Sequence, residues 1–123
     1  MKYDYVKQLR SFGYAWQGLR CCVGKEQNLS FHLIATAVVV AAGCYFGITR
    51  TEWMVLCLCI GMVIAAELFN TAIERLVDLV SPQRHPLAGQ VKDIAAAAVL
   101  VCAAAAAITG CILFAPYLTR FFL

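Results

Sequence analysis

Three stretches of this chain are apolar for long enough to cross a bilayer, and little is left over once they are set aside. A membrane-spanning helix needs about 20 mostly apolar residues. Residues 31–48 meet that need, with His32 as the one strongly polar side chain, near the start. Residues 53–80 are cleanly apolar as far as 66, then turn polar along one side. Residues 94–117 carry no charge. The chain has 123 residues, so the polar remainder is too short for a separate soluble domain. It is 63% hydrophobic and 14% charged, whereas soluble domains are about half apolar and about a quarter charged. Lipid must therefore replace most of a buried core. The expected fold class is an all-α membrane protein, with one domain over residues 1–123.

The connections are short. Residues 47–52 form a polar turn, and Pro82 and Pro86 bracket a second break, since proline cannot continue a helix that precedes it. Residues 3–27 differ from the spans. Tyr3, Val6, Leu9, Phe12, Tyr14, Trp16 and Leu19 alternate with Lys7, Arg10, Arg20 and Lys25, which predicts an amphipathic helix on the membrane surface, broken near Gly13. The first residues contain no continuous apolar segment of the signal-peptide kind, so the first span is expected to act as its own membrane signal. Lys2, Lys7, Arg10, Arg20, Lys25, Arg75, Arg84 and Lys92 fall on one side of the three spans, against Arg50 and Arg120 on the other. The positive-inside rule then places the amino terminus and second loop in the cytoplasm and the carboxyl terminus outside.

One feature of the second span calls for a chemical explanation. Glu67, Asn70, Thr71, Glu74 and Asp78 are spaced i, i+3, i+4, i+7 and i+11 and share one helix face. Leu68, Phe69, Ile73, Leu76, Val77 and Leu79 occupy the other. A carboxylate at this depth costs about 2.5–3.5 kcal/mol even on lenient insertion scales. Glu26 precedes the first span, and Lys92 and Asp93 open the third, so these groups sit at one level if all three helices share a cytoplasmic boundary. Glu26 and Glu74 can hold Mg²⁺, which takes oxygen ligands and keeps several waters. Lys92 can neutralise a phosphate. Glu67, deeper and partly desolvated, suits a general base acting on an alcohol that arrives from the lipid. Arg75 lies off the stripe and reads as a headgroup residue, and His32 as a helix-end residue. Alanine runs at 95–98 and 103–107 allow close helix approach, so the third span is expected inside a homo-oligomeric bundle. The seven cysteines form no CxxC pair; Cys44, Cys57, Cys59, Cys102 and Cys111 lie in apolar runs and read as packing residues.

No GxxxxGK[ST] loop, GxGxxG, HRD or DFG element is present. The residues alone thus lead to an acidic, metal-competent site in a membrane and stop short of ATP. Two rival readings stay open at this level. One is a small oligomeric channel or transporter whose polar stripe lines an ion path. The other is a non-catalytic adaptor whose acids only pack helices.

The ordered ExxNxAxE at 67–74, followed by Lys92-Asp93, goes further. With SFGYAWQGLR at 11–20, Glu26, AAELFNTAIERLVDLVSP at 65–82 and HPLAGQVKDIAAAAVL at 85–100, the chain resembles the prokaryotic diacylglycerol kinase family. Glu26 with Asn28 and His32, NTAIE, and HPL before KD make it most similar to the undecaprenol kinase branch. The diacylglycerol branch tends to carry an acidic residue where His32 stands and a serine where Ala96 stands. The resemblance implies a homotrimeric inner-membrane lipid kinase with active sites between subunits. It would use ATP and Mg²⁺ to phosphorylate undecaprenol or, alternatively, diacylglycerol. It implies Glu67 as catalytic base, Asn70 beside it, and Glu26 and Glu74 as Mg²⁺ ligands. It implies nucleotide contacts from Lys92, Asp93, Lys7, Tyr14, Gln83, Arg84 and His85. Trp16 and its neighbours on the surface helix would line the path of the lipid.

Overall fold

The computed structural model describes all of residues 1–123 as four helices and no strands. Helix α1 is Tyr5–Cys22, α2 Gln27–Phe46, α3 Arg50–Val80 and α4 Pro86–Phe122. The last three are each long and apolar enough to cross a membrane.

Local chemistry explains the boundaries. Asp4 caps α1 by accepting from the backbone N–H groups of Val6 at 3.0 Å and Lys7 at 3.1 Å. The helix runs unbroken through Gly13, against the expectation of a break there. An internal glycine costs only about 1 kcal/mol, which the cap and the flanking helix formers outweigh. Gly47, at φ 61°, closes α2 in the left-handed conformation that glycine adopts without strain. Thr49 caps α3 through the Glu52 N–H. The last span starts earlier than its charge-free segment suggests. His85 Nδ1 accepts from the Leu87 N–H at 3.1 Å, and Pro86 takes the first helical position, where its missing N–H is no loss. Lys92 and Asp93 therefore lie within α4 rather than at its opening.

Length then positions the polar groups. At 1.5 Å per residue, the 20 residues of α2 span roughly 30 Å, about one hydrocarbon core. The 31 residues of α3 and 37 of α4 span roughly 46 and 55 Å and overshoot it. The α3–α4 hairpin can therefore rise out of the lipid, carrying the lower part of the polar stripe, the 81–85 turn and the first turns of α4.

The packing centre is α3. It lies most extensively on α4, next on α2, and touches α1 over a short stretch. Leu56, Val63, Glu67, Asn70 and Thr71 are buried along it, beside Leu29 of α2 and Ala95 and Val99 of α4. Within a single chain the alanine-rich α4 is largely uncovered. Only 6% of its apolar window is buried, against 28% for α3, because small side chains bring α4 close to one neighbour and leave its other faces bare. Far from the stripe, Phe46 meets Phe114, Tyr117 and Phe121, and the Tyr117 hydroxyl donates to Glu52 Oε1 at 2.9 Å.

One contact in this region is unforgiving. A Cβ added to Gly43 would stand 2.7 Å from Trp53 Cη2 and 3.1 Å from Ile48 Cδ1. An indole edge cannot rotate aside as an alkyl chain would, so the helices must part. We expect Gly43→Ala to destabilise the fold by about 1–3 kcal/mol. Unfolding in mixed micelles of increasing SDS fraction checks this, with Gly110→Ala, which meets nothing within 4 Å, as the control expected to be neutral or slightly stabilising.

Candidate functional site

The first half of the polar stripe is among the most deeply buried parts of the molecule. Glu67, Asn70 and Thr71 are 3%, 5% and 4% exposed, Glu74 is half-buried, and Asp78 is exposed. Helical periodicity alone places these residues on one face. Packing of α2 and α4 over that face buries its upper half.

Glu67 has one partner from another helix. His32 Nε2 of α2 lies 3.3 Å from its Oε1, with the His side chain 17% exposed. A buried carboxylate is tolerated when it is paired and hydrogen-bonded, and His32 supplies that pairing. His32 is therefore more than a helix-end residue. About one turn further along α3, Asn70 Nδ2 donates to Glu74 Oε1 at 3.2 Å. The other end of that amide is unsatisfied: Asn70 Oδ1 is buried and accepts no hydrogen bond. An orphaned buried oxygen usually marks a place where an ion, water or ligand completes the set.

Glu26 sits at the N-cap of α2 and makes no cap hydrogen bond. Its carboxylate turns instead to Arg75, whose Nη2 donates to Oε1 at 3.2 Å and to the Cys21 carbonyl at 3.4 Å. Arg75 thus gathers the α1–α2 link onto α3, which corrects its reading as a plain headgroup residue. Glu26, Asn70 and Glu74 offer only oxygen atoms toward a cation, the donor type Mg²⁺ requires. No three His, Cys, Asp or Glu side chains converge as a self-sufficient metal site. Mg²⁺ seldom needs one, since it is held by one or two carboxylates plus phosphate and water. The residues present fit that ion.

A second feature is built by the hairpin. A cavity of about 280 Å³ lies between the end of α3, the 81–85 turn and the start of α4, lined by Asp78, Gln83, Arg84, His85, Gly89 and Lys92 among others. It gathers four of the expected nucleotide contacts. Lys92 is not free within it, since its Nζ bonds Asp78 Oδ1 at 2.5 Å. Asp78 ends the stripe on the face that α4 covers, so it meets Lys92 one helix away. Asp93 is exposed and does not line the cavity. Lys7, Tyr14 and Trp16 are exposed on α1, and the single chain does not bring them to the stripe.

The third feature is apolar. A groove of about 330 Å³ runs between α2, α3 and α4, lined by Ala35, Val39, Ile60, Val63 and Ala107 among others. His32 also lines it, so the groove and the buried Glu67 meet at one side chain. The sequence assigned no chemical role to His32 or Arg75 and did not pair Asp78 with Lys92. A usable signal existed for His32, because an ionisable residue inside an apolar span is a functional candidate by default.

Comparison with known proteins gives this geometry a context. A model of the family described as prokaryotic diacylglycerol kinase matches residues 13–114. The undecaprenol kinase of Bacillus subtilis (strain 168) is 40% identical over 109 residues, covering 89% of each chain. The diacylglycerol kinase of Escherichia coli (strain K12) is 31% identical over 109 residues, again 89% of each. The diacylglycerol kinase of Synechocystis sp. (strain ATCC 27184 / PCC 6803 / Kazusa) is 39% identical over 113 residues, 90% of this chain and 65% of its own.

Proposed function

This chain belongs to the prokaryotic diacylglycerol kinase family and is a membrane lipid kinase, and we propose that the alcohol it phosphorylates is undecaprenol, with ATP as donor and Mg²⁺ as cofactor. The undecaprenol kinase relative, 40% identical over 89% of both chains, supports that acceptor. Diacylglycerol, giving phosphatidic acid, is the alternative within the same mechanism. The observation that carries the reading is a buried carboxylate, Glu67, held by His32 at the head of an apolar groove. Such a groove lets a long-chain alcohol lie in the hydrocarbon and present its hydroxyl to a base at the boundary.

The division of labour follows from the geometry. Glu67 takes the proton of the lipid hydroxyl while His32 fixes its carboxylate. Asn70 lies between the base and Glu74 and holds the reacting groups in register. Glu26, Glu74 and the free Asn70 oxygen would hold Mg²⁺, which neutralises charge on the transferring phosphoryl group. The hairpin cavity takes the nucleotide. Gln83, Arg84 and His85 form one wall, and Lys92 exchanges Asp78 for phosphate, with Asp93 nearby. Most of the rate gain in such transfers comes from positioning and charge neutralisation.

Lys7, Tyr14 and Trp16 fit this scheme through assembly. α1 buries little besides Cys22 against its own chain, and these side chains stay open to a neighbour. A homotrimer with sites between subunits would let α1 complete the nucleotide pocket and the lipid path. The distribution of basic residues supports a site on the cytoplasmic face of a bacterial inner membrane, with the carboxyl terminus outside.

The test is phosphate transfer from labelled ATP to undecaprenol and to diacylglycerol, side by side in mixed micelles with Mg²⁺. We expect kcat/KM to favour undecaprenol by at least about tenfold, or about 1.4 kcal/mol in the barrier. A preference for diacylglycerol keeps the mechanism and overturns the acceptor. Transfer to neither lipid by folded protein overturns the reading.

A further inference from the structure

A separate group of nucleophilic and charged side chains lies where α1 meets α3. Cys21 and Cys22 end α1 with their sulfurs 3.8 Å apart. Arg75 Nη1 donates to Cys21 Sγ at 3.3 Å, while its Nη2 donates to the Cys21 carbonyl at 3.4 Å and to Glu26 Oε1 at 3.2 Å. One guanidinium thus bridges a thiol and a carboxylate. Its hydrogen bond, aided by the Cys22 thiol, holds the Cys21 thiol below the usual cysteine range. Burial pushes Cys22 the opposite way. Cys21 is partly exposed and Cys22 buried.

The remaining cysteines offer no competition. Cys44, Cys57, Cys59, Cys102 and Cys111 all sit within α2, α3 and α4, in the segments that lipid surrounds. A thiolate is the reactive form, and it is disfavoured where neither water nor a cation stabilises it. Cys21 alone combines access, a cationic neighbour and a position outside the spans.

We propose that Cys21 is a modification site for soft electrophiles, and that its adduct uncouples Arg75 from Glu26. The second half rests on the reading of Glu26 as a Mg²⁺ ligand given above. With iodoacetamide the step is simple. The Cys21 thiol gives its proton to water, its sulfur forms a C–S bond to the methylene carbon, and the C–I bond breaks with loss of iodide. The resulting thioether is neutral and accepts hydrogen bonds poorly. Its added carboxamide also occupies the space of Arg75 Nη1. Arg75 shifts, and Glu26 loses the donor that orients it.

The experiment uses the full chain in mixed micelles with limiting iodoacetamide. Modified cysteines are mapped by peptide mass spectrometry, and lipid phosphorylation is followed over the same time course. Carbamidomethylation at Cys21 is expected to run at least about tenfold faster than at any other cysteine. Because its thiolate persists below the usual range, labelling should continue at pH values where free cysteine has slowed, and fall only as pH drops further. The Mg²⁺ concentration for half-maximal activity should rise with the adduct, and Cys21→Ser should stay active and ignore the reagent. Should Cys21→Ser not fold, Arg75→Gln serves in its place, with slower labelling of Cys21 expected. First labelling at another cysteine, or equal inactivation of Cys21→Ser, overturns the proposal. A fully labelled enzyme with an unchanged Mg²⁺ curve overturns the coupling to Glu26. If unlabelled protein phosphorylates neither lipid, the Mg²⁺-ligand reading falls separately, and the labelling map still decides the reactivity of Cys21.

Discussion

Glu67→Gln is expected to lower kcat by about 10²–10⁴-fold, the range that a positioned general base contributes, while the protein stays folded and assembled. The substitution suits the question because it removes basicity and little else. Glutamine keeps the shape, and its amide oxygen can accept from His32 Nε2, which lies 3.3 Å from the present carboxylate. It is also uncharged at a site only 3% exposed, so burying it costs less than burying a carboxylate. Folding is therefore expected to be unharmed or improved. KM for the lipid should change little, because the lost interaction matters only as the proton moves. His32→Ala should act more weakly and by a different route. It leaves the base but frees its orientation, and rescue by His32→Gln, which restores a donor, would separate positioning from proton transfer. Turnover with labelled ATP, beside micelle size and helical content, checks both. Near-normal turnover of Glu67→Gln would move the base elsewhere on α3.

How far the sequence carried this site depends on the range of each interaction. The stripe from Glu67 to Asp78 was visible because a single helix sets its own period. The three spans and the caps at Asp4 and Thr49 are likewise local. Pairings between helices were not visible. His32 meets Glu67, Arg75 meets Cys21 and Glu26, and Lys92 meets Asp78 only once the helices adopt one register, and no single periodicity encodes that register. Proline shows the same limit in miniature. Pro86 reads as a breaker in isolation, and as a helix start once His85 caps the next turn. The alanine runs of α4 declared close packing without declaring a partner. They bring α4 against α3 and leave its other faces to lipid or to further subunits.

Glu26→Gln and Glu74→Gln test the metal half of the mechanism, and their signature differs from that of Glu67→Gln. Each is expected to raise the Mg²⁺ concentration for half-maximal activity by at least about tenfold, since even outer partners of metal ligands cost 10–100-fold in affinity. At saturating Mg²⁺ part of the lost rate should return, whereas no concentration should rescue Glu67→Gln. The two sites differ in their supports. Glu74 Oε1 already accepts from Asn70 at 3.2 Å, so a glutamine there can keep that bond and the stripe should stay packed. Glu26 is held across helices by Arg75, and glutamine weakens that tie, so part of its effect should be positional. If both carboxylates serve one ion, the double variant should lose much less than the product of the single losses, because the second substitution acts on a site already emptied. Multiplicative losses would instead mean two independent roles. A Mg²⁺ titration at saturating ATP, run on wild type, both single variants and the double, distinguishes the cases. Unchanged half-saturation in both single variants would remove Mg²⁺ binding from Glu26 and Glu74 and leave Asn70 Oδ1, the buried oxygen without a partner, as the remaining candidate on the stripe.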